Sequence, residues 1–154
     1  MLLTIEKVIV LKTVSIFSDI PERELVEVAS VMEETRVEAS QPVFEKGDTG
    51  NSLYVIVEGS VHIHDGDRSI AIIGPGEVFG ELAALDPEPR MASVTAVEPS
   101  LLLRMGHAEL GELMTEHPEV AFGIIHVLVR RLRERGEKRI NLPPDQPHGS
   151  LRAR

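Results

Sequence analysis

Between residues 35 and 105 the chain is written with a period of two, in runs too short for helices and with glycine turns between them. The runs 35–39, 42–44, 52–58, 60–64, 69–73, 77–79, 92–97 and 101–105 are separated by turns such as Lys46-Gly47-Asp48-Thr49-Gly50, Glu58-Gly59, Asp65-Gly66-Asp67 and Gly74-Pro75-Gly76. Many short strands joined by tight turns close into a sandwich or barrel, because each must pair its edges and bury one face. The fold class predicted is mainly β with flanking helices, an antiparallel β-roll (jelly roll) with N-terminal helices and a long C-terminal helix.

The flanks carry helical spacing. Pro21 suits a first helical turn, Glu22 and Glu24 favour its positive end, and Leu25, Val28, Ala29 and Met32 follow the i, i+3, i+4, i+7 stripe. Before it, Ile5, Val8 and Ile9 fit one face of a short helix, although 8–11 reads equally as a strand. After residue 105 the spacing predicts a helix over 107–116 and a long one from Pro118 to between 135 and 138. That last helix has more apolar surface than one face needs: Val120, Ala121, Ile124, Val127 and Leu128 on one side, with Ile125, Val129 and Leu132 spreading round. The excess predicts a second contact, either over a ligand or with a second copy in a homodimer. Pro143, Pro144 and Pro147 end all periodicity, so residues 1–138 are read as one domain and 139–154 as a disordered tail.

Composition excludes several functions. The 154 residues include no cysteine, which removes disulfide frameworks and thiolate chemistry, and no apolar run reaches the roughly 18 residues of a membrane span. A cytoplasmic setting is expected, with no membrane span. Residues 1–129 carry 8 basic and 22 acidic side chains, a charge of −14, whereas 130–154 carry 8 basic and 3 acidic, a charge of +5. An acidic body repels a polyanion, and the arginines from Arg130 onward are read as complements of a helix C-terminus, so no nucleic-acid partner is expected. His62 and His64 share a strand face, but further ligands are missing and Val61 and Ile63 claim the core face, so no metal is expected. No nucleophile, base or Walker-type lysine loop supports catalysis, and the chain is read as a non-enzyme without a cofactor.

One stretch departs from strand-and-turn composition: Phe79-Gly80-Glu81-Leu82-Ala83-Ala84-Leu85-Asp86-Pro87-Glu88-Pro89-Arg90-Met91-Ala92-Ser93-Val94. A helical turn wedged between strands presents unpaired amides at 80–83, which is an anion site. Gly80 leaves the main chain open to close approach, and Pro87 and Pro89 stiffen the return path that brings back Arg90. A monoanionic phosphate suits amides plus a guanidinium. Glu81 beside it is consistent if its carboxylate accepts a hydrogen bond from a sugar hydroxyl and is balanced by Arg90. Phosphate and ribose on one loop imply a nucleotide.

At these residues the sequence resembles the cyclic nucleotide-binding domain family, whose phosphate-binding cassette reads Phe-Gly-Glu-Leu-Ala, a short spacer, then Arg and small residues. Phe17, Ile20-Pro21, Leu25, Phe44-Glu45-Lys46-Gly47-Asp48, 53–61 and Gly74-Pro75-Gly76-Glu77-Val78 support it, and the likeness spans 10–138. The resemblance implies that Gly80, Leu82, Ala83 and Arg90 hold the exocyclic phosphate oxygens. It further implies that Glu81 with the Gly80 backbone holds the ribose 2′-OH, and that the final helix closes over the base. Phe79, Met91 and Ala92 complete the ligand-binding set. Met91 stands where a hydroxyl is often associated with cyclic GMP, which favours cyclic AMP. Ser93 offers a hydroxyl only if its strand turns it inward. The function implied is a regulatory module that binds a 3′,5′-cyclic nucleotide and signals to a protein effector by moving its C-terminal helix; a ligand-free interaction or dimerisation module is the alternative.

Overall fold

The computed structural model describes residues 1–140, with side chains described through Glu134; the tail expected over 139–154 lies, from 141 onward, outside the described residues. Two helices open the chain, α1 (Thr4–Lys12) and α2 (Glu22–Ser30). The β-region follows as β1 (Glu33–Val37), β2 (Pro42–Phe44), β3 (Thr49–Gly50), β4 (Ser52–Glu58), β5 (Val61–Asp65), β6 (Arg68–Ile73) and β7 (Val78–Phe79). A short helix α3 (Glu81–Leu85) then interrupts it before β8 (Glu88–Pro89), β9 (Ser93–Ala96) and β10 (Ser100–Gly106). Helices α4 (His107–Glu116) and α5 (Pro118–Ile140) close the described part.

The strands form two four-stranded antiparallel sheets, in the orders β1-β10-β4-β7 and β2-β9-β5-β6, with a separate ribbon of β3 and β8. This is the jelly roll expected. Burial explains the strand sequences. In β4, Leu53 and Val55 face the helices and Ile56 faces the second sheet, all at 0% exposure. In β10, Leu102 turns to the second sheet and Leu103 and Met105 to the helices, so 101–103 reads as an apolar run buried on both faces, while Arg104 stays partly exposed and pairs with Glu33 of β1. A stretch covered on both faces has no polar side to show.

The helices sit on the outer face of the first sheet. Leu25, Val28, Ala29 and Met32 of the α2 region are all buried, as their spacing predicted. In α1 the helix forms but its buried face differs from expectation. Val8 and Leu11 are buried while Ile5 and Ile9 are 61% and 59% exposed. Apolar residues occupy nearly every position from 8 to 11, so periodicity within α1 could not choose a face; packing against α2 chose it. Along α5 the buried row is Val120, Ile124 and Val127, whereas Phe122, Ile125, Val129 and Leu132 stand exposed. Among the described residues no helix is long and apolar enough to cross a membrane.

Candidate functional site

The chain leaves β7 at Phe79 and turns sharply into α3 through Gly80, whose φ of 81° lies in the left-handed region. A Cβ there would lie 2.8 Å from the Ser52 carbonyl oxygen and 3.0 Å from Arg90 Nη1, so glycine is required on both conformational and steric grounds. The first helical hydrogen bond in α3 runs from the Ala84 N–H to the Gly80 carbonyl at 3.3 Å, leaving the amides of Glu81, Leu82 and Ala83 ahead of any intrahelical acceptor. His107 Nδ1 meets the Ala84 carbonyl at 2.5 Å and ties α3 to α4.

The return path is strapped rather than merely stiff. Glu88 and Pro89 pair with Gly50 and Thr49. The Arg90 N–H then donates to the Asp48 carbonyl and the Gly47 N–H to the Arg90 carbonyl, both at 2.8 Å. These bonds place the Arg90 side chain inside the roll, at 7% exposure, with Nη2 donating to the Ser52 carbonyl at 2.9 Å and Nη1 to the Gly80 carbonyl at 3.3 Å. Its Cζ lies 3.9 Å from the centroid of the Phe44 ring. Burial pushes the guanidinium below its ordinary pKa.

Glu81 is buried at 4%, and its Oε1 accepts from Arg131 Nη1 of α5. Arg131 Nη2 donates to the Val78 carbonyl at 2.8 Å. The balance of Glu81 by Arg90 expected above is therefore corrected: Arg90 Nη1 and Nη2 donate to carbonyls, and the cation hydrogen-bonded to Glu81 comes from fifty residues downstream. Burial raises the Glu81 pKa above its ordinary value, with the Arg131 charge opposing. Two buried polar atoms have no hydrogen-bond partner among the described residues, Glu81 Oε2 and Arg90 Nε, one an acceptor and one a donor.

The other expected site residues fall into two sets. Phe79 and Ala83, at 1% and 6% exposure, face the interior; Phe79 stacks on Tyr54 with centroids 5.1 Å apart. Leu82 and Met91, at 49% and 72%, are exposed, and Ala92 is half-buried. The Ser93 hydroxyl accepts from the Lys46 N–H at 2.9 Å and so is engaged along the strand. Arg131 was missed by sequence reasoning. Its signal was present: the residue continues the inward row of Val120, Ile124 and Val127 at the same 4, 3, 4 spacing, a charge where the row calls for an apolar side chain.

Away from the cassette, the His62 and His64 rings stack 4.9 Å apart, with His62 on the Ser69 hydroxyl and His64 on Gly66 and Thr95. Among the described residues no three His, Asp or Glu side chains gather in a metal-binding group. Surface hollows of 440 and 190 Å³ are lined by α4, and by α2 with α4; neither includes a residue of the Gly80–Arg90 cluster.

Residues 34–117 match the family described as the cyclic nucleotide-binding domain. The chain is 39% identical over 99 residues to the Cyclic AMP receptor protein of Thermus thermophilus, covering 61% of this chain and 46% of that one. It is 29% identical over 146 residues to the cAMP-dependent protein kinase regulatory subunit of Dictyostelium discoideum, covering 90% of this chain and 42% of that one. Among solved structures, that of Thermus thermophilus Catabolite Activator Protein superposes with a TM-score of 0.75 at 32% identity, over 80% of this chain and 61% of that one. The chain thus spans less than half the length of these curated relatives.

Proposed function

The chain belongs to the cyclic nucleotide-binding domain family, and from that premise we propose that it is a regulatory binding module, not an enzyme, for a 3′,5′-cyclic nucleotide at the Gly80–Arg90 cluster. The observation that carries the reading is the pair of orphaned atoms. A buried donor and a buried acceptor left unpaired in one site are costly unless a ligand completes them. An exocyclic phosphate oxygen suits Arg90 Nε and the amides ahead of Ala84; a ribose 2′-OH, donating, suits Glu81 Oε2. Cyclic AMP is favoured over cyclic GMP because Met91, directly after Arg90, brings no hydroxyl.

The route to an effector runs through α5. Arg131 ties that helix to the carboxylate proposed to bind ribose, so occupancy at Glu81 and docking of α5 share one group. A ligand shifts the helix only by its differential affinity for the docked and undocked states. Titration calorimetry of the chain with cyclic AMP and cyclic GMP tests the reading. Cyclic AMP is expected to bind more tightly, and at about 100 times its dissociation constant to stabilise the fold by about 2.7 kcal/mol. No heat and no thermal shift with either nucleotide would remove the function.

A specific observation favours a second reading, association through α5. Phe122, Ile125, Val129 and Leu132 are 70%, 53%, 37% and 66% exposed and recur at 3, 4, 3 spacing, the seam of a two-helix coiled coil. On this reading a homodimer forms in solution and Leu132→Glu returns it to a monomer by light scattering; a wild-type chain that is monomeric at high concentration rejects it.

A further inference from the structure

The chain has only four phenylalanines and one tyrosine, and three of these five rings form one cluster that meets Arg90 through Phe44. Phe44 lies 6.0 Å from Phe79 and 6.1 Å from Tyr54, centroid to centroid, and turns its face to the guanidinium at 3.9 Å. Gly50 abuts the same group. A Cβ at that position would fall 2.6 Å from Arg90 Cζ and 2.8 Å from Nη2, so the guanidinium occupies space that any other residue would fill. A desolvated cation is favoured over an aromatic face, and a planar one more than an ammonium.

We infer that Phe44 is a positioning residue for Arg90, its ring and the bare backbone of Gly50 forming a slot that sets the guanidinium before ligand arrives. The inference rests on the reading of Gly80–Arg90 as a phosphate site. Nη1 and Nη2 each donate to a carbonyl, of Gly80 and Ser52, and a Cβ at residue 50 would fall 2.2 Å from Nε, so the ring and Gly50 together fix the plane of the guanidinium and the directions of the N–H groups not held on those carbonyls. A group already fixed in its bound orientation has less freedom left to lose on binding. Phe44 sits on β2, before the Lys46-Gly47-Asp48 turn and far in sequence from the cassette, which is why the cassette alone does not reveal it.

Calorimetry of four proteins with cyclic AMP tests the role: wild type, Phe44→Leu, Arg90→Lys and the double variant. Phe44→Leu is expected to lose about tenfold in affinity, the scale of a desolvated cation–π contact, and Phe44→Tyr to recover most of it. In the Arg90→Lys background the same change is expected to cost less than about threefold, because an ammonium does not use a planar slot. Equal losses in both backgrounds would overturn the inference and leave the phosphate site standing; no binding by the wild type would overturn both. A further measurement is independent of whether the variants fold. In the ligand-free wild type the Arg90 Nε–H resonance should be ring-shifted and slow to exchange, and an unshifted, fast-exchanging signal would likewise overturn the role.

Discussion

Arg90 and Glu81 are almost equally deep in one site, at 7% and 4% exposure, yet they are held from different parts of the molecule. Every contact that fixes Arg90 comes from the β-roll: Phe44 of β2, the Asp48 and Gly47 backbone, the Ser52 carbonyl and Gly80. The charge that fixes Glu81 comes from α5. Half of the site is therefore set when the sheets close, and the other half depends on where a terminal helix lies. A group held by sheets is preorganised, whereas a group held by a helix with an exposed apolar seam can report on that helix.

The largest expected effect breaks the roll half alone. Arg90→Ala should weaken cyclic nucleotide binding by about 1.5–3 kcal/mol, the range for charge-assisted hydrogen bonds, as read by calorimetry. Hydrogen exchange along α5 should stay as in the wild type, because Arg90 touches no residue of that helix in the described contacts. Loss of α5 protection in this variant would show that the two halves are one unit.

The same division marks what could be read from the sequence. Gly80, Glu81 and Arg90 were legible because their chemistry is local: a left-handed turn, a short helix and a returning arginine within eleven residues. The strands 42–44 and 52–58 were legible to the residue, since β-branched and apolar runs there end at turn signals. The ribbon of β3 and β8 was not, because two-residue strands have no period. Arg131 was not assigned because a lone charge on a helix row does not name its partner, and the C-terminal arginines already had a sufficient explanation in the helix dipole. The buried face of α1 was beyond reach for the opposite reason, an excess of apolar positions.

The helix half is broken by Arg131→Ala. Removing one member of a buried ion pair usually costs several kcal/mol, but Arg131 is 37% exposed at its side chain and water would re-solvate part of the loss. A destabilisation of about 1–2 kcal/mol is expected by thermal or urea unfolding, with faster exchange along α5 and no change at the Arg90 amide. Adding Glu81→Gln should recover part of it, since the charge left unpaired is then gone. An Arg131→Ala protein as stable as the wild type would mean that the ion pair does not dock the helix.

The smallest effect sharpens the comparison through pH, at the buried Glu81 carboxyl. Burial raises its folded pKa above the ordinary 4.5 while Arg131 pulls it back. A carboxyl whose folded pKa is raised binds its proton more tightly in the fold than in the unfolded chain. Its contribution is complete below the ordinary value and is lost as pH rises through the raised one. The wild type should thus lose stability relative to Glu81→Gln across that window, and Arg131→Ala, lacking the opposing charge, should carry the window to higher pH. Ligand affinity should move the other way: a ribose hydroxyl donating to Oε2 prefers the ionised carboxylate, so binding tightens as pH rises through the same range and Glu81→Gln flattens the rise. Opposite slopes in unfolding and in binding on one residue are what a sugar-binding carboxylate buried under a helix requires, and parallel profiles for wild type and Glu81→Gln would assign both slopes to other groups.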